Sequence, residues 1–194
     1  FEISKKVNIA IFGHGLVGGT LINQILESSG QIESKKKIKL NVFAVANSKK
    51  VLFSKNGIRQ DWYEKLTAEG SSYTVKDVIR FANDHHLENL IAIDNTASTS
   101  FTDNYVTLIE NGFDLISSNK IANTLGFDFY KKLRFVLEEH QKQYLYETNV
   151  GAGLPLIDTI KLLHLSGENI TRIKGVFSGT LSYLFNTFSA ENRS

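Results

Sequence analysis

Cysteine and methionine are absent from the 194-residue sequence, and proline occurs once. Without cysteine the chain can form no disulfide and no thiolate metal site, and no mechanism through a cysteine thioester is open to it. No apolar run approaches the roughly 20 residues that a membrane-spanning helix needs, so we expect no membrane partner. These absences remove redox-active thiol sites and membrane spans from the functions that this stretch of chain can perform.

A strong excess of one charge is also absent, because 22 basic residues face 20 acidic ones and the formal net charge is +2. The basic run "SKKKIK" (34–39) is not interleaved with aromatic residues. We interpret it as a solvated connection before a strand and expect no nucleic-acid partner. No signal peptide is visible, which predicts a cytoplasmic protein. Because the sequence does not begin with methionine and stops in the polar stretch "SAENRS", we expect a piece of a longer polypeptide.

Short apolar runs alternate with helical patterns along the chain. The run at 7–12 fits a strand buried on both faces, and Val17, Leu21 and Ile25 then recur at helical spacing. The other predicted strands are 40–46, 90–94, 113–118, 144–148 and 170–177. Strands separated by helices predict an α/β fold with a parallel sheet. The last strand and the helix after it are expected to begin a second domain.

The segment "IFGHGLVGGT" contains the pattern G-x-G-x-x-G between the first strand and the first helix. In a dinucleotide-binding unit the first glycine permits a tight turn, the second admits a pyrophosphate and the third allows close helix–strand packing. The N-terminus of the helix favours the negative charge. We therefore predict a Rossmann-type doubly wound sheet with a dinucleotide bound at Gly13, Gly15, Leu16, Val17 and Gly18. The alternative is a tight turn without a ligand.

The second strand ends in "AVANSKK", where NAD-binding units usually carry an acidic residue that accepts a hydrogen bond from the ribose 2′-hydroxyl. Asn47 and Ser48 can donate hydrogen bonds instead, and Lys49 brings positive charge. This segment favours NADP as the cofactor, with NAD as the second choice. The alternative is that the lysines only begin a polar loop.

Chemistry in such a sheet takes place beyond the carboxyl ends of the strands. Thr96, Ala97 and Ser98 follow the third predicted strand and can line the nicotinamide side of the cofactor, although Thr96 or Ser98 can equally cap a helix. Lys120 follows the fourth strand, where a lysine can orient a carbonyl oxygen or donate a proton to it. We predict that Lys120 is catalytic and contacts the cofactor. A surface lysine is the alternative.

The segments "FGHGLVGGTL", "DNTAS", "TDNYVTLIENGFDLISSNKIANT", "YETNVGAGLPLIDTI" and "GVFSGTLSYLF" together resemble homoserine dehydrogenase. The form is that of the dehydrogenase half of the bifunctional aspartate kinase–homoserine dehydrogenases, and the likeness runs over nearly the whole chain. The resemblance implies NAD(P)-dependent interconversion of L-homoserine and L-aspartate 4-semialdehyde, on the route to threonine and methionine. It also implies a covalently fused aspartate kinase domain.

The resemblance further implies two domains. Residues 1–154 would form the NAD(P)-binding domain, and residues 155–194 would begin a substrate-binding and dimerisation α+β domain that makes the protein a homo-oligomer. The glycine segment "ETNVGAGLP" (147–155) would bind a monovalent cation, sodium or potassium, through Glu147, Val150, Ala152 and Leu154. Glycines there let the backbone turn its carbonyl oxygens towards an ion. A glycine hinge without an ion is the alternative.

The resemblance also assigns Thr180 to the substrate and supports Lys120 at the nicotinamide. Two departures matter. Ser118 and Ile121 differ from the Pro-Asn-Lys-Lys that the family often has, and the family's other catalytic groups lie downstream of "SGTLSY". We therefore expect the chain alone to bind cofactor with little activity. The competing hypotheses are another Rossmann oxidoreductase for small carbonyl compounds and a nucleotide-sensing module without catalysis.

Overall fold

The computed structural model describes residues 4–176 and 178–191. The chain forms two compact units, the first ending at Tyr146 and the second beginning at Glu147. The domain boundary after residue 154 stays a prediction. None of the helices in the described ranges is long and apolar enough to span a membrane.

The first unit is built on one seven-stranded sheet. Its strands are β1 (Lys5–Phe12), β2 (Ile38–Ala46), β3 (Lys50–Phe53), β4 (Ser71–Ser72), β5 (Leu90–Asp94), β6 (Phe113–Ser117) and β7 (Tyr144–Leu145). The spatial order is β4-β3-β2-β1-β5-β6-β7. The neighbours in the series β2-β1-β5-β6-β7 are parallel, whereas β3 pairs antiparallel with both β2 and β4. The chain reverses its winding direction between β1 and β5, which places a ligand crevice at their carboxyl ends.

Five helices cover the two faces of this sheet. They are α1 (Leu16–Lys36), α2 (Trp62–Glu69), α3 (Val75–Asp84), α4 (Tyr105–Glu110) and α5 (Phe127–Glu139). Short 3₁₀ helices at Ser100–Asn104 and Ile121–Thr124 follow β5 and β6. The second unit contains a 3₁₀ helix at Glu147–Asn149 and two α-helices, α6 (Leu156–Leu165) and α7 (Gly179–Glu191).

The sheet is buried on both faces because successive side chains of a strand point to opposite sides. In β1, Ile9 and Ile11 belong to the apolar cluster that includes Ile22 of α1 and Trp62 of α2. Ala10 and Phe12 belong to the other cluster, which takes in residues of α3, α4 and α5. This arrangement confirms the doubly wound sheet, and it confirms the burial of the strand at 7–12 on both faces that the charge-free apolar run predicted.

Three local predictions were wrong, and one region carried no prediction. The stretch before β2 is not a connection, since α1 continues through Lys36, and the 144–148 strand shortens to β7 before turning into the 3₁₀ helix. The region between β2 and α3 was not assigned, and it forms a hairpin strand, α2 and β4.

The third wrong prediction is the strand at 170–177: residues 170–176 form no strand, and residue 177 lies outside the described residues. A strand needs a neighbouring strand to bond its peptide groups, and the regular elements in the described part of the second unit are all helices, which supply none.

Candidate cofactor and active site

A cleft of about 870 Å³ opens at the carboxyl ends of β1, β2 and β5, where the fold places a ligand crevice. Its walls come from the glycine loop, the β2–β3 turn, α2, the segment before α3 and the loop after β5. The lining residues are Gly13, His14, Gly15, Asn47, Ser48, Tyr63, Tyr73, Asn95, Thr96, Ala97, Ser98, Ser100, Phe101 and Asn104. The size suits a large part of a dinucleotide.

Each glycine of the loop lies in a different environment. Gly13 has a φ of +87°, and a Cβ there would lie 2.8 Å from the carbonyl oxygen of Asn95. A Cβ on Gly18 would lie 1.9 Å from the carbonyl oxygen of Gly13, whereas a Cβ on Gly15 would meet nothing within 4 Å. The first and third glycines therefore allow the turn and the helix contact, and the second leaves open space for a ligand.

The turn between β2 and β3 fixes the orientation of the Asn47 amide. Its Oδ1 accepts hydrogen bonds from the backbone N–H groups of Lys49, at 2.8 Å, and Lys50, at 2.7 Å. Its Nδ2 lies 3.4 Å from Nε2 of His14 in the cleft wall. Tyr73 supports the turn by donating to the Asn47 carbonyl at 2.9 Å. Since the oxygen is engaged by the turn, Asn47 can offer the cleft only its N–H₂ donors.

Burial raises the pKa of the Tyr73 phenol to about 12. The hydroxyl is therefore protonated at neutral pH and acts as a donor to the Asn47 carbonyl. This bond ties the β2–β3 turn to the segment before α3, so that two walls of the cleft are held at a fixed separation.

The loop after β5 begins at a buried carboxylate. Asp94 is 3% exposed, and its Oδ1 accepts the backbone N–H of Thr96 at 2.8 Å. The hydroxyl of Tyr105 lies 2.7 Å from Asp94 Oδ2 and 2.8 Å from Oγ of Ser117. Burial and the nearby Asp94 carboxylate both raise the pKa of this phenol. Asp94 therefore receives hydrogen bonds instead of an ion pair and holds the start of the cleft loop.

The predicted nucleotide residues divide into two sets. Those lining the cleft are Gly13, Gly15, Asn47, Ser48, Thr96, Ala97 and Ser98. The residues outside the lining are Leu16, Val17, Gly18, Lys49 and Lys120. Leu16 and Val17 are exposed on the first turn of α1, and Lys49 is exposed on the β2–β3 turn. Lys120 is exposed directly before the 3₁₀ helix that follows β6.

The residues with predicted roles in the cation site and substrate contact lie in the second unit. The carboxylate of Glu147 accepts the backbone N–H groups of Ile157, at 2.9 Å, and Asp158, at 2.8 Å, and so caps α6. Ala152 has a φ of +51° and follows Gly151, which has a φ of +80°. A positive φ is uncommon for a residue other than glycine, and the backbone N–H of Leu154 closes a turn here by donating to the Gly151 carbonyl oxygen at 2.9 Å. Val150 and Leu154 flank this turn, and Thr180 is exposed near the start of α7.

The sequence reasoning missed half of the cleft wall. His14 sits in a variable position of the glycine pattern, and Tyr63 lies on α2, where the edges of Trp62 and Tyr63 face the His14 ring at centroid distances of 5.6 and 5.7 Å. The aromatic pair "WY" in a polar stretch was the one local signal for α2. Tyr73 reaches the cleft through its long-range bond to Asn47, whereas Asn95, Ser100, Phe101 and Asn104 belong to the same loop and 3₁₀ helix after β5 as the predicted Thr96, Ala97 and Ser98.

The sequence matches two family models. The model for the NAD-binding domain of homoserine dehydrogenase matches residues 13–147, and the homoserine dehydrogenase model matches residues 155–194. The first match begins at the first glycine of the loop and covers more than half of the chain.

Known proteins agree with these matches. The chain is 37% identical over 186 residues to the bifunctional aspartokinase/homoserine dehydrogenase of Buchnera aphidicola, covering 95% of this chain and 23% of that protein. It is 32% identical over 191 residues to the homoserine dehydrogenase of Schizosaccharomyces pombe, covering 97% of this chain and 50% of that protein. A hyperthermophilic archaeal homoserine dehydrogenase, solved in complex with NADPH, superposes with a TM-score of 0.62 at 22% identity, over 80% of this chain and 48% of that one.

The likeness to the archaeal structure establishes the fold alone. The chain spans about a quarter to a half of the length of the two curated relatives. On the family matches and the 37% identical relative, the chain belongs to the homoserine dehydrogenase family.

Proposed function

We propose that the protein containing this chain is an NADP-preferring homoserine dehydrogenase that interconverts L-aspartate 4-semialdehyde and L-homoserine. The observation that carries the proposal is the cleft itself, where an intact G-x-G-x-x-G turn meets polar donors from β2 and β5. When bound, NADPH supplies the hydride. The chain's own residues bind the cofactor, orient the carbonyl group and deliver a proton.

The cleft fits a nicotinamide dinucleotide in two respects. Gly15 presents open backbone at the N-terminus of the 21-residue helix α1, the place where a pyrophosphate is bound in such folds. Asn95 lines the cleft, and its Nδ2 is buried and has no hydrogen-bond partner among the described residues. A buried donor without a partner costs about 1–3 kcal/mol, so this site is incomplete without a further acceptor.

The preference for NADP rests on the Asn47 amide. An acidic residue at this position would accept from the ribose 2′-hydroxyl of NAD, but the oxygen of Asn47 is engaged by the backbone of Lys49 and Lys50. The remaining N–H₂ donors, the hydroxyl of Ser48 and the exposed ammonium group of Lys49 suit the oxygens of a 2′-phosphate. NAD would lack this acceptor and bind more weakly.

Lys120 is proposed to orient the aldehyde oxygen and to protonate it as hydride reaches the carbonyl carbon. It lies just beyond β6, at the edge of the sheet on which the cofactor cleft opens, and Ala122 of the following 3₁₀ helix packs into the core. The segment carrying Lys120 is therefore anchored, while the lysine itself is exposed. Thr180 is proposed to contact the substrate.

A monovalent cation is proposed at the turn formed by Val150, Ala152 and Leu154. The described residues contain no group of three or more histidine, cysteine or acidic side chains that could hold a metal. An ion at this turn would be held by backbone carbonyl oxygens, which suits sodium or potassium. Because the Glu147 carboxylate caps α6, its main-chain carbonyl is the group available to an ion.

The proposed partners follow from the same family. We propose an aspartate kinase domain fused to the dehydrogenase, as in the Buchnera relative, and a homo-oligomer formed through the C-terminal portion. The second unit supports an interface there, because large apolar side chains of α6 and α7, such as Leu162, Leu165 and Phe185, are exposed. Cytoplasm is the expected location, which fractionation of cells making the full-length protein would test.

The function is tested by following NADPH oxidation with L-aspartate 4-semialdehyde in the full-length protein. Turnover that needs this aldehyde would support the proposal. Turnover with other small aldehydes but not with this one would favour another carbonyl oxidoreductase, and NADPH binding without turnover would favour a nucleotide sensor.

The isolated 194-residue chain is proposed to bind NADPH with little or no turnover. Positioning a substrate against the reacting group can supply about 7–11 kcal/mol of a barrier. The chain spans only 50% of the S. pombe enzyme, so we expect part of the substrate-holding set to lie elsewhere. The same assay on the isolated chain checks this, and full activity would contradict it.

A further inference from the structure

Asn119, the residue before Lys120, joins the two loops that border the proposed reaction site. Its side chain is 3% exposed. Its Nδ2 donates to Asp94 Oδ2 and to the carbonyl oxygen of Ser98, both at 3.0 Å. The neighbouring Ser118 makes a parallel contact, since its hydroxyl donates to Asn95 Oδ1 at 2.9 Å. The loop after β6 is thereby bonded to the loop after β5 at two successive residues.

Side-chain oxygens of Ser117 and Asn119 fix the backbone on the two sides of Lys120. The backbone N–H of Asn119 donates to Oγ of Ser117 at 3.0 Å. On the other side, the backbone N–H of Ile121 donates to Asn119 Oδ1 at 3.1 Å. Lys120 therefore lies between Asn119 and Ile121, whose backbone N–H groups are each held by a hydrogen bond. Its ammonium group stays exposed, but the starting point of its side chain is fixed.

Asp94 anchors this arrangement from the sheet. Asp94 and Ser117 are the last residues of β5 and β6 and lie opposite each other in the strand register. The Tyr105 hydroxyl lies within hydrogen-bond distance of both. Burial and the Asp94 charge keep this phenol protonated by raising its pKa, so it can donate to the carboxylate. Two strand ends and the two loops that follow them form one connected polar network.

We propose that Asn119 is a positioning residue, which holds Lys120 at a fixed distance from the nicotinamide-side loop through its bonds to Asp94 and Ser98. This inference rests on the proposed function, because it assigns Lys120 to the reaction. Catalysis is sensitive to such placement, and a displacement of about 1 Å can cost about 100-fold in rate. An exposed, flexible lysine gains most from a backbone that is held rigidly.

The test is a double-mutant cycle of Asn119→Ala and Lys120→Ala in the full-length protein, with NADPH and L-aspartate 4-semialdehyde. We expect Asn119→Ala to lower kcat about tenfold or more and to change the Kd for NADPH by less than about threefold. If Asn119 acts through Lys120, the double variant should be no slower than Lys120→Ala. Two independent losses would multiply instead.

Asn41→Ala is the matched control for lost stability. Asn41 is also 3% exposed and donates from Nδ2 to another side chain, Asn8 Oδ1, at 2.8 Å, but it lies in β2 away from the cleft. Asn41→Ala should lower the free energy of unfolding and leave kcat unchanged. Equal kcat values for Asn119→Ala and Asn41→Ala, or full multiplication in the cycle, would overturn the positioning role.

Failure of the proposed function gives a different result. A wild-type protein without turnover, or a Lys120→Ala variant with wild-type kcat, would remove the role of Lys120 and this inference with it. If Asn119→Ala does not fold, Tyr105→Phe serves instead, because it deletes only the hydroxyl that joins Asp94 to Ser117. We expect kcat to fall without an additional loss in the Lys120→Ala background, and an unchanged kcat would overturn the proposal.

Discussion

Gly18 on the first turn of α1 lies directly against the peptide of Gly13, so that a Cβ at Gly18 would approach the Gly13 carbonyl oxygen to 1.9 Å. The Gly13 oxygen is a backbone atom, and the position of a Cβ is fixed by the backbone, so no side-chain rotation can relieve this contact. Gly18→Ala must therefore displace the helix from the turn. We expect it to lower the free energy of unfolding by about 1–3 kcal/mol or more, measured by urea denaturation.

Gly15→Ala is the matched comparison within the same loop. Gly15 has a negative φ, and a Cβ there meets no atom within 4 Å. The free energy of unfolding of Gly15→Ala should therefore match that of the wild type. The added methyl group would instead occupy the space that a pyrophosphate needs, and we expect NADPH binding to weaken at least about tenfold. Wild-type affinity in Gly15→Ala would show that the loop does not bind the cofactor.

Asn47→Asp should reverse the cofactor preference. Aspartate can still accept the backbone N–H groups of Lys49 and Lys50, but it replaces the two N–H donors by a negatively charged oxygen. That oxygen can accept from the 2′-hydroxyl of NAD and repels a 2′-phosphate. We expect the ratio of the Kd values for NADPH and NADH to change in favour of NADH by about tenfold or more, measured by calorimetry.

The control for added charge is Asn104→Asp, which lines the same cleft but lies next to α4. It should weaken both cofactors to a similar degree and leave their ratio nearly unchanged. An equal effect of both substitutions on the ratio would mean that net charge, and not the β2–β3 turn, sets the preference.

Lys120→Ala should separate catalysis from binding. Removal of a proton-donating or carbonyl-orienting group typically lowers kcat by about 10²–10⁴-fold. Since Lys120 does not line the cleft, the Kd for NADPH should change much less. Steady-state kinetics and fluorescence titration of the full-length protein measure the two quantities, and a wild-type kcat would reject the catalytic role.

The parts of the site that follow from local chemistry could be predicted from the sequence. Gly13 and Gly18 are needed because backbone approaches backbone, so the pattern and the geometry agree. Asn47, Ser48 and Thr96 follow strands whose buried runs are easy to recognise, and the carboxyl ends of parallel strands converge. The two-sided burial of β1 likewise follows from a charge-free apolar run.

The rest depends on pairings that are distant in sequence. β3 has four residues, and α2 has eight, of which only Trp62 and Leu66 are buried. These are too few residues to establish a hydrophobic periodicity in the sequence. The antiparallel hairpin that includes β3 is stabilised by its pairing with β2 and by the contact of Tyr73 with Asn47. Asn119 looked like a loop residue, because its burial depends on Asp94, which is 25 positions away.

Alkaline pH should weaken the fold through the partly buried Tyr73. Burial raises the pKa of Tyr73 from 10.0 to about 12. As pH rises, the unfolded chain loses this proton first, so the stabilising contribution is complete below pH 10 and is lost between about pH 10 and 12. We expect Tyr73→Phe to make the fall in unfolding free energy over this window shallower.

The glycine turn of the second unit gives the last prediction. If carbonyl oxygens hold the proposed ion, potassium chloride should raise the melting temperature of the full-length protein above its value in tetramethylammonium chloride at equal ionic strength. Glu147→Gln should keep this ion effect, since the carboxylate caps α6 instead of facing an ion. Gly151→Ala should diminish it, because alanine resists the φ of +80° that turns the carbonyl groups. Loss of the ion effect in Glu147→Gln, with retention in Gly151→Ala, would show that the side chain and not the turn is the ligand.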